Sequence, residues 1–297
     1  MKDLYSDKLV EPMLLNEIDK PFDSKDYFFE IKFDGIRAII YVSPNEIIIK
    51  NKRGIIINES FPELLKIKDN IMDKCIFDGE IVLMQDGKPS FHKLQERVLL
   101  KNKNKIKYFI ENFPVTFVCF DILYKNKNLI NLSLIKRKEI LMKYPNTDYF
   151  VKSKIIDTKG KKLFDFIKKE DLEGIVAKAK DSLYLIGKRT DNWVKIKNIK
   201  EEDFIIGAYQ EREHVASLVL GRWVDNQLYF VSKVSVGKRK KEFELVKSLK
   251  IIKNKFKDFK DDGYIYVEPK YVCTVSFLEK TKKGHLRHPI FRRIRID

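Results

Sequence analysis

Glu30-Ile31-Lys32-Phe33-Asp34-Gly35-Ile36-Arg37 is the stretch on which the reading of this chain turns. The apolar run Tyr27-Phe28-Phe29 leads into it, and the pattern predicts a strand over 28–33. Side chains alternate between the two faces of a strand. Phe29, Ile31 and Phe33 are therefore expected on a core face. Glu30, Lys32 and Asp34 are expected together on the other face, just before a glycine turn and Arg37. A lysine between carboxylates is by itself an ordinary surface ion pair; the rest of the chain gives this one another meaning.

Outward from that stretch, strands are predicted over 37–42 and 46–51, and a helix from Ser60 with Pro62 early and Leu64, Leu65, Ile67 and Ile71 on one side. A strand over 75–84, a helix near 90–100, a strand over 115–124 and helices around 133–144 and 158–170 follow. Strands near 174–180 and 193–198 bracket a loop containing Gly187. This mixture fits an α+β domain with antiparallel sheets. After about residue 200 the pattern changes to strands over 203–210, 216–224, 228–236, 264–268 and 271–279, with one basic helical stretch over 238–252. That set fits a small barrel of the oligonucleotide/oligosaccharide-binding (OB) type. The expected division is 1–200 and 201–297, with a hinge near Asn198–Glu202.

The 297 residues carry 60 Lys and Arg against 43 Asp and Glu, a net charge of +17. An excess of that size points to a polyanion, most often nucleic acid, whose binding should weaken with salt. The abundance of Lys, Ile and Asn also suits a biased codon usage, which tempers the inference. Cys75, Cys119 and Cys273 are odd in number, far apart and set in apolar runs, so they read as small buried hydrophobes. The four histidines have no zinc-ligand spacing. The first dozen residues contain no apolar signal core, and no uncharged stretch could span a bilayer, so a cytoplasmic protein without a membrane partner is expected.

A lysine that acts as a nucleophile must lose its proton, and nearby cations or desolvation favour that loss. Arg37, Lys195 and Lys197 could supply the cations. Val194 and Ile196 alternate with the two lysines, which directs both amines to one side. Glu80, in Phe77-Asp78-Gly79-Glu80, is a carboxylate inside an apolar run and needs a partner there. Glu173 precedes Gly174 at the entrance to another strand. Oxygen ligands of this kind suit Mg²⁺, which is usually bound by one or two carboxylates plus substrate phosphates. Phe120 is first of all a core residue, although an aromatic there could stack on a base. No G-x-x-x-x-G-K-[ST] or G-x-G-x-x-G motif is present.

Taken in order, these segments resemble the covalent nucleotidyltransferases, and specifically the ATP-dependent DNA ligases. The K-x-D-G-x-R signature is Lys32 to Arg37, followed by Lys52-Arg53-Gly54, Phe77-Asp78-Gly79-Glu80 and Phe120-Asp121-Ile122-Leu123. Leu172-Glu173-Gly174-Ile175-Val176 and Trp193-Val194-Lys195-Ile196-Lys197 complete the set. Phe91-His92-Lys93-Leu94-Gln95-Glu96-Arg97, Gly187-Lys188-Arg189 and the run from Phe277 to Phe291 are similar to the ligase domain of bacterial non-homologous end-joining ligases. Arg295-Ile296-Asp297 resembles the last ligase motif, R-x-D-K, as far as its aspartate. Arg293 stands where that branch usually has glycine.

The resemblance implies a nucleotidyltransferase (adenylation) domain followed by an OB-fold β-barrel. It also implies sealing of 5′-phosphate/3′-hydroxyl breaks in duplex DNA through a lysyl-AMP intermediate, with ATP and Mg²⁺ or Mn²⁺ as cofactors. Lys32 would take the AMP. Glu30 and the Ile31 backbone would read the adenine edge, Arg37 and Arg53 would contact phosphate, Glu80 would hold the ribose and Phe120 would stack on the base. Glu173, with Glu80, would hold the cation. Arg189, Lys195 and Lys197 would line the phosphates, and Arg295 and Asp297 would position the leaving pyrophosphate. A monomer acting on DNA, with a Ku-type end-binding partner, is implied as well. The competing readings are an RNA ligase, an mRNA-capping guanylyltransferase and a non-catalytic nucleic-acid-binding module.

Overall fold

The computed structural model describes residues 3–212, 215–237, 240–281 and 283–295. It divides into two compact units, Met1–Asn198 and Ile199–Asp297.

The first unit begins with helix α1 (Leu4–Asp7) and strands β1 (Leu14–Glu17), β2 (Tyr27–Ile31), β3 (Ile36–Val42) and β4 (Ile47–Asn51). It continues with β5 (Cys75–Gln85), β6 (Lys88–Pro89), α2 (Phe91–Val98), α3 (Lys103–Asn112), β7 (Val115–Lys125), α4 (Leu134–Leu141), β8 (Phe150–Lys152) and β9 (Ile156–Asp157). It ends with α5 (Gly160–Lys169), β10 (Gly174–Ala179) and β11 (Arg189–Lys197). Two sheets result, ordered β1-β11-β10-β2-β9 and β4-β3-β5-β7-β8. Most pairs are antiparallel; β1 and β8 join parallel at the edges.

Alternation along these strands places the functional faces. In the first sheet Phe29, Ile175, Ala177, Val194 and Ile196 pack under Leu163, Phe164 and Ile167 of α5. The other parity, Glu30, Val176, Lys178, Trp193 and Lys195, faces away from α5 and lines a cleft. In the second sheet Ile40, Phe77, Ile81, Leu83 and Phe117 form one core. Ile39, Tyr41 and Ile76 belong to a second, on the opposite face. Arg37 shares the parity of Ile39, and Asp78 and Glu80 share that of Ile76, so their side chains also turn to this second face. Each fully buried large aliphatic or aromatic residue in these cores contributes roughly 1.5–3 kcal/mol.

Several sequence expectations are corrected. β2 ends at Ile31, not Phe33; residues 32–35 leave the first sheet and cross to the second. Phe33 therefore lines the cleft instead of joining Phe29 in the core. The segment expected to be an α-helix from Ser60 is a 3-10 stretch, Pro62–Asn70. Phe61, Leu64 and Ile67 are all buried, and their spacing of three matches a helix of three residues per turn. β1 carries little apolar periodicity and was not expected; α3 was not expected either, although Ile106, Phe109, Ile110 and Phe113 fall at helical spacing and Ile106 and Phe109 are buried.

In the second unit, β12 (Lys200–Arg212), β13 (Val215–Val224), β14 (Gln227–Ser235), α6 (Lys240–Lys247), β15 (Ile265–Tyr266) and β16 (Val272–Phe277) come first. Then come β17 (Glu279–Lys280), β18 (Leu286–Arg287) and β19 (Ile290–Arg295). The main ladder is β14-β13-β12-β16-β19, with β15 beside β12. It is antiparallel and, among the described residues, not hydrogen-bonded shut between β14 and β19, as suits the partly open OB barrel. Phe243 and Val246 of α6 cap its core, with Phe243 edge-on to Tyr209 at 5.5 Å. The segment Lys200–Glu202 is part of β12, paired with Val275–Phe277. The strand expected over 271–279 ends at Phe277, and the closing strand β19 was not expected.

Candidate active site

Residues 32–35 form the crossover between the two sheets, and Lys32 stands at its start. The Lys32 N–H donates to the Gly174 carbonyl at 2.9 Å, which ties the crossover to β10. The Lys32 Nζ lies 2.6 Å from Glu173 Oε1, with both side chains largely shielded from solvent. The crossover passes close over the second sheet. A Cβ on Gly35 would fall 2.3 Å from the Ile81 carbonyl oxygen and 2.8 Å from Glu80 Cγ, so only glycine fits there.

Beside Lys32 is a cavity of about 240 Å³. Glu30, Ile31, Arg37, Glu80, Phe120, Arg189 and Lys195 line it with Lys32, so the fold gathers most of the expected residues. Its wall also includes Met13, Lys52, Val176, Lys178 and Trp193, which were not singled out from the sequence.

Arg37 is a clamped cation. Its Nε and Nη2 donate to the two carboxylate oxygens of Asp78, each at 2.6 Å. Asp78 is fully buried and also accepts from Tyr184 Oη at 2.7 Å. Tyr184 Oη in turn accepts from the Met13 N–H at 2.9 Å. Burial works against the Arg37 charge, but Asp78 outweighs it and the pKa rises. The guanidinium carbon lies 4.5 Å from the centroid of the Phe120 ring.

Glu80 sits directly opposite Arg37 in the β3–β5 ladder. Burial pushes its carboxyl up to about 7, against the pull of Arg37 and Lys32, and the charges of Glu173 and Asp78 add to the rise. Among the described residues no group of three or more His, Cys, Asp and Glu side chains is gathered to hold a metal by itself. Glu173 and Glu80 nevertheless fit a divalent cation completed by phosphate oxygens, because such an ion would relieve the repulsion between them.

Glu30 is buried between two lysines. Lys138 Nζ of α4 lies 2.5 Å from its Oε1, and Lys178 Nζ of β10 lies 3.1 Å from its Oε2. Burial alone would raise the Glu30 carboxyl, but the two ammonium groups hold it below the usual range. Lys178 is brought down to about 8, first by burial and against the pull of Glu30; its amine lies 4.1 Å from the Phe120 ring centroid and 4.5 Å from that of Trp193.

Lys195 and Lys197 point to one side, as the alternation predicts, and both reach Glu17 Oε2, at 3.2 and 2.8 Å. Burial raises the Glu17 carboxyl, but these two lysines outweigh it and lower the pKa. Arg189 donates to the Leu15 carbonyl. Arg53 is exposed on the turn after β4, and its neighbour Lys52 reaches the cavity instead. Arg295, in the second unit, pairs with Asp203 at 2.6 Å. Asp297 lies outside the described residues.

Sequence reasoning missed Lys138, Lys178, Tyr184 and Glu17. Only Lys178 left a local signal, a lysine at the end of the apolar run Ile175-Val176-Ala177.

The model of the ATP dependent DNA ligase domain matches residues 11–197, and that of the ATP dependent DNA ligase C terminal region matches residues 211–297. The chain belongs to the ATP-dependent DNA ligases. This ligase is 31% identical over 295 residues to the SPbeta prophage-derived DNA ligase-like protein LigB of Bacillus subtilis (strain 168), covering 97% of this chain and 99% of that one. It is 28% identical over 303 residues to the multifunctional non-homologous end joining protein LigD of Mycolicibacterium smegmatis, covering 96% of this chain but 38% of that protein. Among solved structures, it is similar to mycobacterial DNA ligase D complexed with ATP and MES, at 25% identity and TM-score 0.58, covering 97% of this chain and 95% of that one. A Lig E DNA ligase at 18% identity and TM-score 0.68, covering 96% of this chain and 99% of that one, shares the fold. The ligase is thus an α+β nucleotidyltransferase fold followed by an OB fold, in a family that uses ATP and a divalent cation.

Proposed function

We propose that this ligase seals breaks between a 5′-phosphate and a 3′-hydroxyl in duplex DNA, with Lys32 as the residue that carries AMP. The observation that carries the reading is the position of the Lys32 amine. It is held 2.6 Å from Glu173, at the edge of a cavity that also presents Arg37, Glu80, Phe120 and Lys195.

Lys32 Nζ, having given up a proton, attacks the α-phosphorus of ATP. A P–N bond forms, the P–O bond to pyrophosphate breaks, and the leaving oxygen takes the electron pair. Glu173 holds the amine in place before attack. Arg37, Arg189, Lys195 and Lys197 offset the phosphate charge, and such fixed charges do most of the work in phosphoryl transfer. Phe120 offers the base a ring face, and Glu80 reaches the ribose. The AMP then passes to the 5′-phosphate, and the 3′-hydroxyl displaces it. A divalent cation, Mg²⁺ or Mn²⁺, held by Glu173 and Glu80 would supply charge neutralisation at the transferring phosphoryl group. The first unit serves as the adenylation domain and the second as the OB-fold domain; by family resemblance, Arg295 and Asp297 are assigned to the pyrophosphate. Arg53 contacts the DNA phosphates from its exposed turn.

The likeness to LigD supports a repair or end-joining role, with broken duplex DNA and a Ku-type end-binding protein as partners. The charge of +17 supports the DNA footprint. No helix among the described residues is long and apolar enough to cross a membrane. A monomer working in the cytoplasm, at the nucleoid, fits this reading. The test is incubation with α-labelled ATP or GTP and a divalent metal, then denaturing electrophoresis, for wild type and Lys32→Ala. A covalent band from ATP alone, lost in Lys32→Ala, is expected. A band that persists in the variant would remove Lys32 from the reaction.

A further inference from the structure

Lys138 is a charged residue with no place in the reaction just described, yet it is almost entirely buried. It does not line the cavity; Glu30, Lys178 and Phe120 do. Lys138 approaches Glu30 from α4, behind the cavity wall, while Lys178 approaches from the neighbouring strand β10. Both carboxylate oxygens of Glu30 are thus engaged by ammonium donors, one each. Burying two amines for one carboxylate is costly unless the arrangement does something. Part of the surplus positive charge is met by the faces of Phe120 and Trp193 beside Lys178. Asp121, which pairs with Arg137, contributes at longer range.

We propose that Lys138 is a positioning residue for purine selection: it fixes Glu30 as an ionised group that can accept hydrogen bonds but cannot donate one. The inference rests on the reading that Glu30 meets the base edge. A carboxylate has about four lone-pair sites, so with two taken by the lysines Glu30 can still accept from a ligand. Adenine carries an exocyclic amine, a donor, where guanine carries the O6 acceptor. A proton-free Glu30 pairs with the first and is left facing a second acceptor by the other. Sites built around a hydrogen bond reject the analogue that lacks it much more strongly than apolar pockets reject an extra group. Lys138 holds Oε1 from behind and so sets the direction of the remaining lone pairs. Lys178 alone would leave the carboxylate free to rotate about its last bond.

The experiment measures binding in a Lys32→Ala background, so that it stands even if the covalent chemistry proposed above fails. Affinities for ATP, for purine riboside triphosphate (no 6-amino group) and for GTP are taken by calorimetry with position 138 as Lys, Met or Arg. The preference of the Lys138 protein for ATP over the purine analogue should shrink roughly ten- to hundredfold in Lys138→Met, the scale of one charge-assisted hydrogen bond. Lys138→Arg should restore it. If Lys138→Met weakens all three nucleotides equally, Lys138 only supports the fold and the proposal is overturned. Glu30→Gln, with both lysines present, is the second variant: an amide can donate to O6, so rejection of GTP should relax. Unchanged rejection of GTP would overturn the proposal independently of how well the position 138 variants fold.

Discussion

Glu80 should make the stability of this ligase fall as the pH rises toward neutrality. Burial lifts its carboxyl from an ordinary value of 4.5 to about 7, with Arg37 and Lys32 only partly offsetting that rise. The folded protein therefore holds this proton more tightly than the unfolded chain. The stabilisation is fully present below about pH 4.5, declines as the pH rises through about 7, and is gone above it. At 1.36 kcal/mol per pH unit, the rise from 4.5 to about 7 corresponds to about 3 kcal/mol. Glu80→Gln keeps the shape and removes the charge. Urea unfolding of both proteins, from about pH 5 to about pH 8 without nucleotide or divalent metal, isolates the group. Because the window opens above the ordinary value, wild type should lose about 2.5 kcal/mol relative to Glu80→Gln across that range. Two curves that stay parallel within about 0.5 kcal/mol would show that Glu80 ionises at its ordinary pKa and would refute the reasoning.

Asp78→Asn should destabilise the first unit by about 3 kcal/mol, at the low end for breaking a buried pair because Arg37 keeps 16% side-chain exposure. That is a fall of roughly 6–12 °C in Tm for a unit of this size, and a midpoint within about 2 °C of wild type by calorimetry would contradict it. Gly35→Ala must push the crossover off the Ile81 carbonyl by about 1 Å, a displacement at which reaction rates drop roughly a hundredfold. Single-turnover adenylylation should show that drop with the far-UV spectrum unchanged; a rate within threefold of wild type, by about the same measure, would mean the crossover can yield without moving Lys32.

The parts of the site that could be read from the chain are those set by short-range rules. Lys195 and Lys197 point to one side because a strand alternates every residue. Gly35 and Arg37 announce a turn and a second strand within a few positions of Lys32. What stayed hidden is pairing over distance. Lys138 reaches Glu30 across 108 residues, and Tyr184 reaches Asp78 across 106. No local pattern near Lys138 distinguishes it from the other lysines of a basic helix. The 3-10 stretch Pro62–Asn70 shows a different limit. A spacing of three and one of three-to-four look alike over two turns, and packing of Phe61, Leu64 and Ile67 decided between them. β1 offered only four residues and a parallel pairing with β11, which depends on a partner more than 170 positions away.

The lysine at the crossover ties reactivity to the completion of folding. Residues 32–35 belong to neither sheet and are held by both, through the Gly174 carbonyl on one side and the close passage over Ile81 on the other. A chain in which only one sheet has formed has no fixed place for the Lys32 amine. Labelling with a nucleotide during refolding would therefore act as a clock for the docking of the two sheets, reporting a late event that spectroscopic signals from either sheet alone would pass over.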